Sequence, residues 1–204
     1  MTYSELMKNR ISSAKEGTAF IVSDFTDIMD YETAKKTLAR LEKAGHIRRA
    51  IRGVYDKPGY STIIQEKSVP NPEEIAKAIA RNYNWTIAPD ENTALNLLGF
   101  STQVPAKWQF ISSGPYRIYE MGNTIIRFMH RSCKEIQGMS YISALVIEAI
   151  KGIGRDNMTE DDIEYLRNKL SKENKQTLLL EARKTSVWIY SIIKRICEEG
   201  KYNV

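Results

Sequence analysis

Residues 30–55 read DYETAKKTLARLEKAGHIRRAIRGVY. Asp30 is a residue type that caps helices, Ala34, Leu38 and Leu41 follow at i, i+4 and i+7, and Gly45 stands where a helix stops in a left-handed conformation. The spacing predicts one amphipathic helix. Behind it, Ile47 and Ile51 share a strand face with Arg49, while Arg48, Ala50 and Arg52 take the other, and Arg52-Gly53 forms the turn into Val54-Tyr55. A capped basic helix followed by a short arginine-rich hairpin is the order of a winged helix-turn-helix. Between Lys35 and Lys57 eight Lys or Arg face two acids, a net of +6, whereas the whole chain carries +5. Positive charge is therefore concentrated in this segment, as in an electrostatic footprint for nucleic acid.

The three inward positions set the rotation of the helix. Thr33, Lys36, Thr37 and Arg40 then lie together on a neighbouring face, with Tyr31 and Lys35 at its N-terminal end. Lys and Arg bond phosphate or the acceptor edge of guanine, and Thr and Tyr bond phosphate oxygens or touch a thymine methyl. Arg48, Arg49 and Arg52 tip the wing, which suits the backbone or the adjacent minor groove. Double-stranded DNA is the partner these residue types address.

Working outward, Thr2 and Glu5 have capping-box spacing before a helix over 3–15, and Phe20 to Val22 reads as a brief strand. Ser23 then caps a short helix through Met29, the first helix of the helix-turn-helix. These elements make a winged helix-turn-helix domain of residues 1–62. The proline-bearing stretch after Lys57 places the boundary near residues 62 to 70, with 63–70 as linker. In residues 71–204, Asn71-Pro72 opens a helix and Trp85–Ala88 reads as a strand. A short helix over 92–98 precedes three strands, Trp108–Ile111, Tyr116–Glu120 and Thr124–His130. Apolar stripes beginning near Ile142 and Trp188, with caps at Thr159 and Ser171, make the remainder helical. The fold class is α+β: the winged unit, then a domain with a small antiparallel sheet and a helical C-terminal portion.

Catalytic chemistry finds little support. The only histidines are His46 and His130. Phosphate-binding glycine loops are missing, and the acids Asp90-Glu91 and Glu160-Asp161-Asp162 precede helices, where carboxylates cap the positive end of the dipole. His130 with Cys133 supplies two of the four ligands that a structural zinc needs. The reading is a non-enzymatic protein with no cofactor and no metal. Cys133 and Cys197 are expected as reduced thiols in a cytoplasmic protein, with no 18-residue apolar run and no secretory signal. Trp85, Trp108, Tyr116, Tyr119 and Trp188 suit a core. Arg117, Arg127 and Arg131 beside them mark a possible secondary nucleic-acid surface.

The chain resembles the AbiEi-type antitoxins of type IV (abortive-infection) toxin-antitoxin systems and allied bacterial proteins of the same two-part layout. The resemblance is carried by TAKKTLARLEKAGHIRRAIRGVYDKP (33–58), WTIAPDENTALNLLGFSTQVPAKWQFISSGPYR (85–117) and FMHRSCKEIQGMSYISALVIEAI (128–150). It implies a winged helix that binds inverted repeats in its own promoter as a pair, with Thr33, Lys35, Lys36, Arg40, Arg48, Arg49 and Arg52 in contact. It also implies a second domain that counteracts a nucleotidyltransferase toxin without forming a stable complex. The alternatives are a stand-alone winged-helix regulator, or an RNA- or protein-binding module whose winged helix is a docking domain.

Overall fold

The computed structural model of the chain describes residues 2–61, 65–101, 105, 107–131 and 136–198. Contacts divide the chain into one unit of Met1–Trp85 with Ile118–Ile126 and another of Thr86–Arg117 with Arg127–Val204.

The first unit runs α1 (Tyr3–Ser13), β1 (Ala19–Ile21), a 3-10 turn (Val22–Phe25), α2 (Tyr31–Lys43), β2 (Arg48–Ile51) and β3 (Val54–Asp56). Its three strands pair antiparallel in the order β1-β3-β2, which is the winged-helix arrangement. The expected capping box opens α1: Thr2 N–H donates to Glu5 Oε2 at 2.6 Å and Glu5 N–H to Thr2 Oγ1 at 3.3 Å. Met7 and Ile11 of α1 meet Phe20, Phe25, Leu38, Leu41, Ile47 and Tyr55 in one core. The first helix of the helix-turn-helix is shorter than its sequence predicts. Asp24 binds the Ile21 N–H at 2.9 Å, and Arg10 holds the following residues through Asp24 O at 2.8 Å and Asp27 at 2.9 and 2.6 Å. Side-chain clamps from α1 replace a longer backbone ladder there.

Asp30 caps α2, accepting from Thr33 N at 3.0 Å. At the other end Gly45 sits at φ +76°, with its N–H on Glu42 O at 2.9 Å and the His46 N–H on Leu41 O at 3.0 Å. This is a Schellman ending, and a Cβ at that backbone angle would be strained. Part of the stretch read as linker is folded. β4 (Tyr60–Ser61) pairs antiparallel with β5 (Glu66–Lys67), and α3 (Pro72–Tyr83) packs on β1 and β3. Arg81 of α3 donates to Ala19 O at 3.0 Å and to both oxygens of Asp24. The contact boundary thus follows Trp85, and the helix expected at the head of the second domain belongs to the first unit.

The later elements are β6 (Ile87–Pro89), α4 (Glu91–Leu98), β7 (Lys107–Ser112), β8 (Arg117–Met121), β9 (Thr124–His130), α5 (Tyr141–Ile153), α6 (Glu160–Lys169), α7 (Lys172–Glu181) and α8 (Val187–Cys197). The four strands form a sheet ordered β6-β7-β9-β8, with β6 and β7 antiparallel. β6 begins two residues later than the sequence suggests. Asn84 is left-handed at φ 54° and Trp85 stacks on Tyr83 with ring centroids 4.8 Å apart. α5 carries the second core, its Leu145, Val146 and Ile150 meeting Ile163 and Leu166 of α6 and Ile189, Ile193 and Ile196 of α8.

The N-terminus of α5 is tied to α7 through Glu181, which accepts from Ser140 N–H at 2.9 Å and Ser140 Oγ at 2.7 Å. Burial pushes the Glu181 carboxyl up, but hydrogen bonds from Ser143 and Ser140 outweigh it and hold the carboxyl below its ordinary value. A lowered folded-state pKa stabilises the fold above the unfolded-chain value and loses that contribution as pH falls through the folded value. Glu181→Gln is expected to cost about 1 kcal/mol near neutral pH, the modest end for a partly exposed charged acceptor. Urea unfolding of variant and wild type should converge in acid. A difference that persists unchanged below the carboxylate range would contradict this account.

Candidate nucleic-acid interface

The exposed face of α2 carries Thr33, Lys36, Ala39, Arg40 and Lys43 around a shallow depression of about 570 Å³. Lys36, Arg40 and Lys43 follow at i, i+4 and i+7, so all three cations project together. Lys43 was missed on reading the sequence, although this spacing from Lys36 is its signal. Tyr31 is exposed at the start of the helix. Lys35 forms an exposed ion pair with Glu32 at 3.5 Å, a contact that a phosphate can displace. Thr33 closes the helix N-terminus, and hydrogen bonds from its hydroxyl and its backbone N–H hold the Asp30 carboxyl below its usual range.

Two expected contact residues prove to face inward. Thr37 is 1% exposed, because it lies on the buried flank of the helix beside Leu38 and Leu41, and so cannot itself touch DNA. Its hydroxyl accepts from Arg40 Nη2 at 3.0 Å. Arg48 is held as a two-pronged clamp on Asp56, Nε to Oδ1 at 3.0 Å and Nη2 to Oδ2 at 2.5 Å, with Nη1 donating to Ser68 O at 2.7 Å. The Asp56 side chain is 1% exposed. All five guanidinium donors sit on three nitrogens, and each nitrogen here already has an acceptor. The cause is a β-bulge: Arg49 stands opposite Tyr55 and Ile51 opposite Val54, leaving Ala50 without a partner and Arg48 across from Asp56.

Arg49 and Arg52 remain exposed on the wing. Gly53 completes the turn at φ +83°. The wing tip does not project alone, because Ile51–Val54 line a small cavity of about 30 Å³ with Ile79, Asn82, Tyr83 and Tyr119. Lys57, also counted in the +6 segment, donates to Ser12 O at 2.6 Å and Ala14 O at 2.7 Å and closes the C-terminal end of α1. Of the eight cations, Arg48 and Lys57 are engaged inside the unit and Lys35 pairs with Glu32. Lys36, Arg40, Lys43, Arg49 and Arg52 form no ion pair among the described residues.

The second surface is less coherent. Arg117 is exposed, Arg127 is half-buried, and the backbone N–H of Arg131 donates to Ser112 O at 3.2 Å. Trp108 is buried, Trp85 is stacked on Tyr83, and Tyr119 and Trp188 are half-buried, so Tyr116 is the one fully exposed ring of the five. Those five aromatics do not assemble a stacking platform. Asp90 caps α4 through Thr93 N at 2.9 Å and accepts from Gln109 Nε2 at 3.1 Å, while Thr159 and Asp162 form the capping box of α6. His130 Nδ1 lies 2.9 Å from Gly114 O. Among the described residues no three His, Cys, Asp or Glu side chains are grouped to hold a metal ion. Cys197 is a free thiol whose pKa is pushed up by burial, and Cys133 lies outside the described residues. No described helix is long and apolar enough to cross a membrane.

No curated protein matches the chain. Among solved structures it is similar to the RV2827C protein from Mycobacterium tuberculosis, at 10% identity and a TM-score of 0.42 over 96% of this chain and 76% of that one. The model of a family of unknown function, DUF6088, matches residues 6–178. With most of its length inside that match, the chain belongs to the DUF6088 family.

Proposed function

We propose that this protein is a non-enzymatic DNA-binding regulator that lays α2 in a major groove and its wing along the flanking backbone, acting in the cytoplasm. The observation that carries the reading is the set of five exposed cations without acid partners, Lys36, Arg40, Lys43, Arg49 and Arg52, on the two elements that a winged helix presents to DNA. Surface cations in a structural role are usually neutralised by nearby carboxylates, and the internal arginines Arg10, Arg48 and Arg81 of this unit all are. The five on the helix face and wing are not. A pair of chains on an inverted repeat would present two such surfaces, with half-sites one helical turn or a multiple apart.

The test is binding of the full chain to short duplex DNA at increasing salt, followed by fluorescence anisotropy. Each phosphate neutralised contributes roughly −0.9 to the slope of log affinity against log salt, so five cations give about −4 to −5. Absence of binding, or affinity insensitive to salt, would sink the proposal.

The biological role we propose is autoregulation within a type IV toxin-antitoxin pair, with a nucleotidyltransferase toxin as functional partner and no stable complex between them. What supports it is the resemblance over residues 85–117 and 128–150. Co-expression with a nucleotidyltransferase encoded beside this gene should restore growth. Failure to do so, with DNA binding intact, would leave a stand-alone regulator.

A further inference from the structure

The face of α2 offers several polar side chains to a groove, and the structure separates them by what each can discriminate. Lys35, Lys36 and Lys43 end in ammonium groups, which attract phosphate as point charges and carry little geometric preference. Arg40 is the single arginine in α2. A guanidinium is the group whose planar fork matches the O6 and N7 acceptors of guanine, the commonest specific contact in the major groove. The other exposed arginines, Arg49 and Arg52, are on the wing, outside the helix that enters the major groove.

Arg40 is also the exposed cation of α2 whose head group is fixed by the protein. Its Nη2 donates at 3.0 Å to Oγ1 of Thr37, a side chain 1% exposed. That acceptor is shielded from water, so solvent competes weakly for the bond. One turn separates the two residues, and helical side chains lean toward the N-terminus, so the bond draws the guanidinium back over the middle of the helix, toward the level of Lys36 and Thr33. Nη2 keeps a second hydrogen, and Nε–H and Nη1 are not engaged by any described partner. The edge of the fork is therefore open to a two-pronged acceptor.

We infer that Arg40 reads a guanine in each half-site and that Thr37 is its positioning residue, acting through the guanidinium without touching DNA. Lys36 and Lys43 supply phosphate contacts on either side. The inference rests on the DNA-binding reading above and extends it from a charged surface to a base-specific one. It predicts that affinity and discrimination have separate residues: lysines set the first, and the Thr37–Arg40 pair sets the second.

The test selects preferred sites for the full chain from a pool of randomised duplexes and then measures affinity for the best site with each base exchanged in turn. Wild type should show a guanine whose replacement by adenine lowers affinity roughly tenfold or more. In Arg40→Ala that exchange should become neutral. Thr37→Val should reduce the guanine preference at least severalfold while leaving the salt slope unchanged, because no phosphate contact is removed, and Thr37→Ser should restore the preference. Circular dichroism of Thr37→Val checks that the variant is folded, and Thr37→Ser, which keeps the hydroxyl, tests the same bond without burying an extra methyl. An Arg40→Ala profile identical to wild type, or full guanine preference in folded Thr37→Val, would overturn the inference while the DNA-binding proposal stands. No salt-dependent binding by wild type would remove both.

Discussion

Arg48→Ala should lower the stability of the protein by about 3 kcal/mol or more, the cost of leaving a buried carboxylate without its partner. Asp56 is enclosed by β1, β2 and β3 and has Arg48 as its charge partner, so removing the guanidinium strands a charge that the sheet shields from water. Arg48→Lys should recover little. A single ammonium cannot grip both Asp56 oxygens and also reach Ser68 O, the three contacts that the fork makes at 2.5 to 3.0 Å. The double variant Arg48→Met with Asp56→Leu should regain most of the loss, since paired apolar replacements of a buried ion pair are often neutral. Arg49→Ala, one residue along, should stay within about 0.5 kcal/mol of wild type. Denaturant unfolding measures all four. If Arg48→Ala and Arg49→Ala behave alike, the internal role assigned to Arg48 is wrong.

The second large effect falls on binding. Replacing Lys36, Arg40 and Arg52 together by alanine should reduce affinity for duplex DNA on the order of a hundredfold at moderate salt, if each contact contributes about 1 kcal/mol or more. The salt slope should fall by roughly 2.7, that is 0.9 for each of three phosphate-scale contacts. Stability should hardly change, because none of the three has an ion-pair partner to lose among the described residues. Titration of labelled duplex at several salt concentrations separates the two quantities. An unchanged affinity in the folded triple variant would remove α2 and the wing from the binding surface.

Helix boundaries were well marked in the sequence because caps are local. Thr2 with Glu5, Asp30, Asn71-Pro72, Thr159 with Asp162, Ser171 and Gly45 all act where their spacing places them. The order of elements in the winged unit followed from these marks and from the apolar stripe of α2. What the sequence concealed was the use of its cations, since composition counts a buried clamp and a free side chain alike. Arg10, Arg48 and Arg81 hold the first unit together through partners fourteen, eight and fifty-seven residues away, separations that no helical or strand period encodes. Thr37 shows the same limit at close range. A helix wheel places it next to Lys36 and Arg40, but the rotation that buries Leu38 and Leu41 carries it under the surface. Residues 57–72 lacked periodicity because a ladder of two-residue strands is too short to display one.

The bulge at Ala50 has a consequence for fidelity of folding. Counting back from the Arg52-Gly53 turn, an unbulged hairpin would set Arg49, not Arg48, opposite Asp56. Two neighbouring arginines are thus chemically able to close the same clamp, and the hairpin has a competing register built into it. Asp56 cannot choose between them, because both guanidinium groups fit its carboxylate. Ser68 makes the choice. Its carbonyl takes Arg48 Nη1, and its backbone and hydroxyl hold Gly59 at 2.8 and 3.0 Å, so the correct register is the one that also fastens the chain leaving the wing. A segment that reads as a passive connector works as the proofreader of the hairpin before it, deciding which arginine is locked away and which is left to face solvent.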